Sequence, residues 1–317
     1  MTPHRPFRFG VLFARGVAHA TSHSEWKDKA KRAEALGYDI LLMPDHLTDQ
    51  FAIGPALAVA AEATTTLRIG TLVLQNDLRH PALVAKEAAT LDVLSDGRFE
   101  LGLGAGGSLL ADYEQTGIPF DPPGTRVGRL AESLRIIKGL FAQEPLTFAG
   151  RHYTITELDG FPKPIQRPHP PLLVAGGGPR VLSLAAREAD IVGILVPMMP
   201  VGGQFQMEAS RAAAVTKQIE LIRQVAGTRF AAIEMNVLIQ RVIVTEDTRQ
   251  ASEELSLEWS PLSPEEVGET PYLLIGTVDE IVATLHARRD RWGISYVVVF
   301  DWDMEAFSAV VVRLSGQ

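Results

Sequence analysis

The chain has 317 residues, of which 46% are hydrophobic, and it carries a formal net charge of −8. This length and hydrophobicity allow a large buried core, and the acidic balance argues against a nucleic-acid partner, so small molecules are the expected ligands. The chain contains no cysteine, which excludes disulfides, thiolate nucleophiles and zinc–thiolate sites.

Neither the N-terminal residues nor the hydropathy of the chain indicates export or membrane association. The apolar run near the N terminus is too short for a signal peptide. No window approaches the ~18 consecutive apolar residues of a membrane span. We therefore expect a cytoplasmic protein with no membrane partner.

Strand-like apolar runs alternate with helix-like periods through the first part of the chain. The predicted strands and helices alternate in the order 7–13, 24–36, 40–43, 55–64, 68–74, 81–94 and 99–103. The helix at 81–94 joins two strands into a βαβ unit, which is right-handed in nearly all known cases. The sequence therefore predicts a parallel sheet.

The alternation continues after a polar, proline-rich insertion that follows residue 103. The helix at 126–141 leads into an extended connection over 149–171 with a short hairpin, and a segment rich in Pro, Met and Gly occupies 197–203. Strands are predicted at 171–175, 191–196, 235–244 and 296–300, and helices at 180–188, 205–225, 247–259, 276–291 and 305–314.

Eight strands alternating with helices are typical of a (β/α)8 barrel, here a single TIM-barrel domain over residues 1–317 with loop insertions. The alternative is a doubly wound open sheet. The barrel is favoured because the strand count reaches eight and the last strand is as apolar as the inner ones, whereas an open sheet tolerates an amphipathic edge strand.

In such a barrel the functional site lies at the C-terminal ends of the strands. Asp45 and His46 follow the second predicted strand and are an adjacent acid and imidazole at a strand end. His46 is therefore our candidate catalytic residue, against the alternative of a packed or solvated histidine. No second histidine stands at ligand spacing from it, so we expect no metal site.

The glycine-rich run Gly102-x-Gly104-x-x-Gly107 follows the fourth strand. It matches a dinucleotide-binding fingerprint, but that fingerprint belongs in the first βα turn with an acidic residue at the tip of the next strand. A tight turn that needs positive φ is a second interpretation. Close approach of the backbone to a flat or phosphorylated ligand is the third, and it accounts for the surplus of glycines.

A second glycine-rich turn, Gly176-Gly177-Gly178-Pro179, precedes a predicted helix. Free amides at a helix start, with no side chains in the way, form an anion site. A plain strand-to-helix turn with proline at the first helical position explains the pattern equally well.

Taken together, several short motifs resemble the bacterial luciferase-like superfamily of flavin and deazaflavin oxidoreductases, and the resemblance covers nearly the whole chain. The motifs are AxxxGYD at 33–39, PDH at 44–46, RIGTxV at 68–73, LSDGR at 94–98, GxGxGG at 102–107, GGGP at 176–179, IGTVDEI at 275–281 and GISYVVVFD at 293–301. The PDH and GGGP motifs are most similar to the coenzyme F420-dependent branch.

The resemblance implies a (β/α)8 barrel, usually dimeric, that binds coenzyme F420 or flavin mononucleotide (FMN). It implies that His46 lies by the reactive carbon of the deazaflavin and that a non-proline cis peptide near Leu72-Val73, or one residue later, supports the ring. It also implies a cofactor site formed by Asp45, His46, Leu72, Val73, Gln75, Gly104, Ala105, Gly106, Gly107, Ala175, Gly176, Gly177, Gly178 and Pro179. Sugar-phosphate dehydrogenases of this branch carry a glutamate proton donor where Gly107 stands, so the chain departs from that pattern.

These features lead to three hypotheses. The first is a coenzyme F420-dependent oxidoreductase that transfers a hydride between the deazaflavin and a small organic substrate, with His46 as polar partner and proton donor. The second is an FMN-dependent, luciferase-like monooxygenase that uses reduced flavin and oxygen. The third is a cofactor-binding protein without turnover.

Overall fold

The computed structural model describes residues 5–14, 22–47, 50–196 and 206–317. Its strands are β1 (Arg8–Leu12), β2 (Ile40–Met43), β3 (Arg68–Thr71), β4 (Leu74–Gln75), β5 (Phe99–Gly104), β6 (Leu146–Ala149), β7 (Thr154–Leu158), β8 (Leu172–Gly176), β9 (Ile191–Ile194), β10 (Glu234–Leu238), β11 (Arg241–Val244), β12 (Leu273–Gly276) and β13 (Ile294–Phe300).

The helices alternate with these strands along the chain. They are α1 (His23–Ala35), α2 (Ile53–Ala63), α3 (Pro81–Leu94), α4 (Leu110–Glu114), α5 (Pro123–Phe141), α6 (Pro179–Glu188), α7 (Ala212–Ala226), α8 (Thr248–Glu258), α9 (Pro264–Glu269), α10 (Val278–Trp292) and α11 (Met304–Leu314). Among these described helices we find none with the length and hydropathy to cross a bilayer.

The main sheet is a closed parallel barrel. Its strand order is β3-β2-β1-β13-β10-β9-β8-β5, and a further pairing between β3 and β5 closes the ring. The short strand β4 continues the course of β3 and pairs with β5. The predicted (β/α)8 barrel is therefore confirmed, and the doubly wound alternative is wrong because the ring has no free edge.

Two apolar layers hold the barrel together. Along β2, Ile40 and Leu42 point into the barrel, where they join an interior cluster. Leu41 and Met43 point outward to the cluster that the strands share with the helices. Because successive side chains of a strand point to opposite faces, a strand buried on both faces becomes a continuous apolar run. This explains why the barrel strands were visible in the sequence.

An ion-pair network closes the N-terminal end of the barrel. Glu100 accepts from Arg8 at 2.7 Å and from Arg68 at 2.6 Å, and Arg8 also reaches Glu234 at 3.1 Å. Burial alone would raise the pKa of Glu100, but the two arginines outweigh it and hold the pKa below its usual range. Such a network is typical of the stabilising face of a barrel, and we therefore look for the candidate site at the opposite end.

The predicted single strand at 235–244 is wrong. The chain forms β10 in the barrel and then β11, which pairs in parallel with β12 in a separate two-stranded sheet. The amide of Gln240, between the two strands, donates to the carbonyl of Tyr272 at 2.7 Å. The run around this break is apolar on both sides, so its composition does not reveal that the chain leaves the barrel.

The insertions differ from expectation in three places. The predicted hairpin is confirmed as the antiparallel pair β6–β7, although it begins at Leu146, before the predicted connection. The insertion after β5 contains the short helix α4, which the sequence did not reveal. The helix predicted at 205–225 begins only at Ala212, after a 3-10 turn over Met207–Ser210. The segment 197–203 and residue 205 lie outside the described residues.

Candidate active site

His46 lies three residues beyond the C-terminal end of β2, with its imidazole bound to a buried carboxylate. Nδ1 of His46 is 2.9 Å from Oδ2 of Asp112, and the Asp112 side chain has 0% exposure. A carboxylate only accepts hydrogen bonds, so Nδ1 carries a proton in this arrangement. The second ring nitrogen, Nε2, is then the one available for proton exchange, and the side chain is 23% exposed.

Asp112 also fixes the backbone next to the histidine. Its Oδ1 accepts from the amide of Leu47 at 2.9 Å. Its Oδ2 accepts from Nε2 of Gln75 at 2.7 Å as well as from His46. One buried carboxylate thus holds both the position of the imidazole and its protonated nitrogen, as charge-assisted hydrogen bonds do most strongly.

Gln75 links the loop after β2 to the glycine-rich turn after β5. Its Nε2 donates to the carbonyl of Asp45 at 2.6 Å and to Asp112, and its Oε1 accepts from the amide of Gly107 at 3.2 Å. With both amide hydrogens and the oxygen engaged, this 3% exposed side chain is a positioning group. The predicted proximity of Gln75 to the ring stays a prediction.

Asp45 is held by a different set of partners. Its carboxylate accepts from Nε and Nη2 of Arg79 at 3.2 and 2.9 Å and from the amide of Gln75 at 3.1 Å. The residue is 2% exposed. These contacts make the Asp45 side chain a brace for the loop that carries His46, and its predicted contact with a cofactor stays a prediction.

Each of the four glycines over 102–107 is required by the backbone or by close packing, for reasons that differ between the first two and the last two. A Cβ at Gly102 would collide with the carbonyl oxygen of Thr71, and a Cβ at Gly104 would lie 2.7 Å from Cγ2 of Val73. Gly106 and Gly107 have φ of +80° and +87°. The positive-φ turn is therefore confirmed for the last two glycines, and close strand packing accounts for the first two.

The insertion after β5 clamps this turn in place. Nη1 of Arg126 donates to the carbonyl of Gly106, and the hydroxyl of Tyr113 donates to Oδ2 of Asp77 at 3.1 Å. Burial raises the pKa of the Asp77 carboxyl, against the opposing charge of Arg129. The same insertion carries Asp112, so the glycine turn and the partner of His46 are positioned together.

The triple-glycine turn joins β8 to α6 at the same end of the barrel. A Cβ at Gly176 would collide with Val181, whereas a Cβ at Gly178 would meet nothing within 4 Å. Gly178 is the N-cap of α6, and no side chain caps that helix start. Nε2 of Gln218 holds the turn by donating to the carbonyl of Gly177 at 2.9 Å. An open, uncapped helix start fits a phosphate group.

The floor between these turns is apolar. Ala14, Val73, Leu195 and Phe300 lie at or just beyond the ends of their strands and pack on the interior cluster of the barrel. The peptide between Leu72 and Val73 is cis, which confirms the implied non-proline cis bond. A flat apolar ring fits such a floor, because dispersion and burial favour contact between the two.

The structure brings the predicted residues together at one end of the barrel. Gln75 pairs with Gly104 in the register of β4 and β5, and β5 lies beside β8, which carries the triple glycine. Sequence reasoning missed Asp112, because it stands alone in a short helix of an insertion. No motif marks it, and only the fold places it against His46.

The fold and the site define a (β/α)8 barrel protein whose candidate ligand site combines an apolar floor, an oriented histidine and an open, uncapped helix start. The sequence profile of the luciferase-like monooxygenase family matches residues 7–293. The chain belongs to this family.

Individual relatives are similar over part of the chain. An F420-dependent glucose-6-phosphate dehydrogenase of Kineococcus radiotolerans is 34% identical over 197 residues, which are 60% of this chain and 56% of the relative. An F420-dependent hydroxymycolic acid dehydrogenase of Mycobacterium tuberculosis is 31% identical over 190 residues, 56% of this chain and 52% of the relative. The matches thus span about half the length of these curated relatives.

Structural similarity extends over the whole chain. The coenzyme F420-dependent tetrahydromethanopterin reductase of Methanopyrus kandleri superposes with a TM-score of 0.76 at 18% sequence identity, covering 97% of this chain and 99% of the reductase. At this identity the similarity establishes the shared fold.

Proposed function

We propose that this protein is a coenzyme F420-dependent oxidoreductase that transfers a hydride between the deazaflavin and a small organic substrate. The observation that carries the proposal is the pairing of His46 with the buried carboxylate of Asp112 at 2.9 Å, at the barrel end that also holds the apolar floor. The names of the two curated relatives support the choice of cofactor.

The residues at this end fit the parts of such a cofactor. Gly176, Gly177, Gly178 and Pro179 would hold the phosphate at the uncapped start of α6. Leu72, Val73 and the turn from Gly104 to Gly107 would hold the ring and its edge. When bound, the deazaflavin supplies the hydride chemistry.

His46 handles the proton that accompanies the hydride. With Nδ1 held by Asp112, a neutral imidazole presents a lone pair on Nε2, and a charged one presents a proton there. The group can therefore accept a proton from an alcohol during oxidation or donate one to a carbonyl during reduction. The buried carboxylate stabilises the charged ring in both directions.

The substrate side of the site is apolar. Phe300 stacks on Trp302, with ring centroids 4.3 Å apart and planes at 9°, and Trp302 is 48% exposed. Together with Leu195, this pair favours an uncharged organic substrate over a sugar phosphate. The glycine at position 107, where sugar-phosphate dehydrogenases carry glutamate, points the same way.

The main alternative is an FMN-dependent monooxygenase, and the name of the family supports it. Titration of the purified chain with coenzyme F420 and with FMN, followed by fluorescence and calorimetry, separates the two. We expect micromolar or tighter binding of coenzyme F420 and at least tenfold weaker binding of FMN. Tight binding of FMN alone would refute the proposal.

Variants at His46 test turnover against mere binding. We expect His46→Ala to lower kcat by about 10²- to 10⁴-fold, the usual contribution of a positioned acid–base group, with the cofactor Kd changed less than threefold. The non-catalytic alternative predicts no turnover in the parent chain with any alcohol or carbonyl substrate. His80→Ala is the matched control, because its imidazole caps α3 by accepting from the amide of Ala82.

We further propose a cytoplasmic homodimer. Leu83 and Leu94 lie three turns apart on one face of α3, and each is 65% exposed. Two exposed leucines on one helix face suit contact with a second copy of the chain. Light scattering on the parent chain and on Leu83→Glu tests this, since a dimer through this face becomes a monomer in the variant, and a monomeric parent would refute it.

A further inference from the structure

A second concave site lies beside the triple-glycine turn. It is a cavity of about 510 Å³ between the first turns of α5 and α6 and the tip of the β6–β7 hairpin. The lining includes three basic side chains, Arg151, His152 and Arg180, and a single acidic one, Glu132. Neither the cofactor phosphate turn nor the His46 network accounts for this cluster.

Two glycines of α5 make room for the basic groups. A Cβ at Gly124 would lie 2.8 Å from Nη1 of Arg180, and a Cβ at Gly128 would lie 3.4 Å from Nε2 of His152. Residues four apart share one helix face at a separation of ~6 Å. The guanidinium and the imidazole therefore lie side by side over α5, close enough for one anionic group to contact both.

Two of the basic side chains, Arg151 and Arg180, have no acceptor within the described part of the chain, whereas His152 lies near the charge of Glu132. No described side chain or carbonyl accepts from the guanidinium of Arg151 or Arg180. The carboxylate of Glu132 accepts instead from the backbone amides of Arg151, His152 and Tyr153, at 2.8, 2.9 and 3.1 Å. Glu132 thus fixes the hairpin tip and leaves the two guanidinium groups available.

The cavity and the proposed cofactor site are neighbours. Arg180 is two residues beyond Gly178, in the first turn of α6. The hairpin tip is tied to the active-site face, because Nδ2 of Asn76 lies 3.5 Å from the hydroxyl of Tyr153, and Asn76 directly follows Gln75. A chain of atoms leaving a phosphate at the triple-glycine turn can therefore run straight into the cavity.

We propose that this cavity binds the glutamate carboxylates of the cofactor tail, the part of coenzyme F420 that extends beyond its phosphate and lactate. The inference rests on the proposed cofactor. It also gives this chain a reason to prefer coenzyme F420 to FMN, since FMN ends at its phosphate and leaves the basic side chains unpaired. In a chain with a net charge of −8, a local basic cluster offsets the general repulsion of a polyanion.

The test compares cofactors that differ only in the tail. The Kd of coenzyme F420 with several glutamates, and of the form with none, is measured by fluorescence for the parent chain and for the double variant Arg151→Gln, Arg180→Gln. We expect the double variant to bind the long form about 5- to 30-fold more weakly and the glutamate-free form within twofold of the parent. Raising the salt concentration should weaken binding of the long form to the parent. It should also narrow the difference in Kd between the parent and the double variant.

The double variant Arg135→Gln, Arg187→Gln is the matched control, because these arginines lie on α5 and α6 outside the cavity. It should bind both forms as the parent does. Equal losses for the two forms would place the basic groups at the phosphate and overturn the tail site, as would no loss for either. If the parent binds neither form of coenzyme F420, the proposed function itself fails and the tail site falls with it.

Discussion

The substitution Asp112→Asn isolates the carboxylate that holds His46. In the parent, Oδ2 of Asp112 accepts from His46 at 2.9 Å and from Gln75 at 2.7 Å, while Oδ1 accepts from the amide of Leu47. Asparagine keeps one acceptor and adds an amide donor. If the asparagine oxygen accepts from the amide of Leu47, the asparagine NH2 group faces the two donors Nδ1 of His46 and Nε2 of Gln75. The imidazole of His46 then carries its proton on Nε2 instead of Nδ1. A neutral histidine in that tautomer no longer accepts a proton from the substrate.

The size of the effect follows from the bonds that are lost. A hydrogen bond to a charged group contributes about 1.5–3 kcal/mol. Each 1.36 kcal/mol of barrier changes the rate tenfold. We therefore expect kcat to fall about 10- to 100-fold in Asp112→Asn, with the cofactor Kd within threefold of the parent, because Asp112 is not placed among the cofactor-holding residues.

The split between kcat and the cofactor Kd separates this role from a purely structural one. A loss of folded structure would weaken cofactor binding as well, whereas loss of the hydrogen bond from His46 lowers kcat alone. Asp121→Asn is the matched control, since Asp121 lies in the same insertion but is partly exposed and pairs with Arg129 at 2.5 Å. A kcat within threefold of the parent, or a cofactor Kd that rises as much as kcat falls, would refute the reasoning.

Three further predictions address the substrate wall and the stability of the barrel. Trp302→Ala should lower kcat/KM by about tenfold through lost aromatic contact, with an unchanged cofactor Kd by fluorescence titration; a change in Kd alone would contradict its assignment to the substrate side. Burial raises the pKa of Asp303 to about 6, so its carboxyl binds a proton more tightly in the folded state, and stability falls as pH rises from about 4 to about 6. As the pH rises from 4 to 7, the free energy of unfolding of Asp303→Asn, measured in urea, should therefore increase by up to about 3 kcal/mol relative to that of the parent. Parallel plots of unfolding free energy against pH for the two proteins would contradict this. Glu100→Gln should lower the free energy of unfolding by about 3–5 kcal/mol at pH 7, because it leaves two arginines facing a neutral amide. The exposed control Glu305→Gln should leave the free energy of unfolding unchanged. Equal urea midpoints for the two variants would rule the network out as a stabilising element.

The sequence revealed the barrel because its strands are buried on both faces and appear as apolar runs. It did not reveal where such a run divides, since the chain around Gln240 is apolar before and after the point at which it leaves the barrel. Glycines were informative about position but not about cause. Gly102 and Gly104 are required because a Cβ there would collide with Thr71 and Val73. The sequence alone does not distinguish this packing requirement from the close approach of a ligand to the backbone.

The site was predictable where it consists of consecutive residues and hidden where it consists of tertiary contacts. Asp45-His46 is visible as a pair, yet the carboxylate that orients His46 is Asp112, 66 residues away in the chain. The adjacent Asp45 is instead engaged by Arg79. Proximity in sequence therefore does not identify the acid that pairs with the histidine, because the direction of each side chain is set by the loop and not by the order of residues.

The segment after β5, which contains α4 and the start of α5, contributes residues at both ends of the proposed cofactor site. α4 carries Asp112 against His46, and the first turns of α5 form one wall of the basic cavity beside Arg180. The proposed substrate wall, by contrast, lies at the ends of β9 and β13. If the two regions are independent, the losses of kcat/KM in Asp112→Asn and Trp302→Ala should multiply in the double variant, as they do for residues without shared partners. A double variant no worse than Asp112→Asn alone would mean that Trp302 acts through the histidine network.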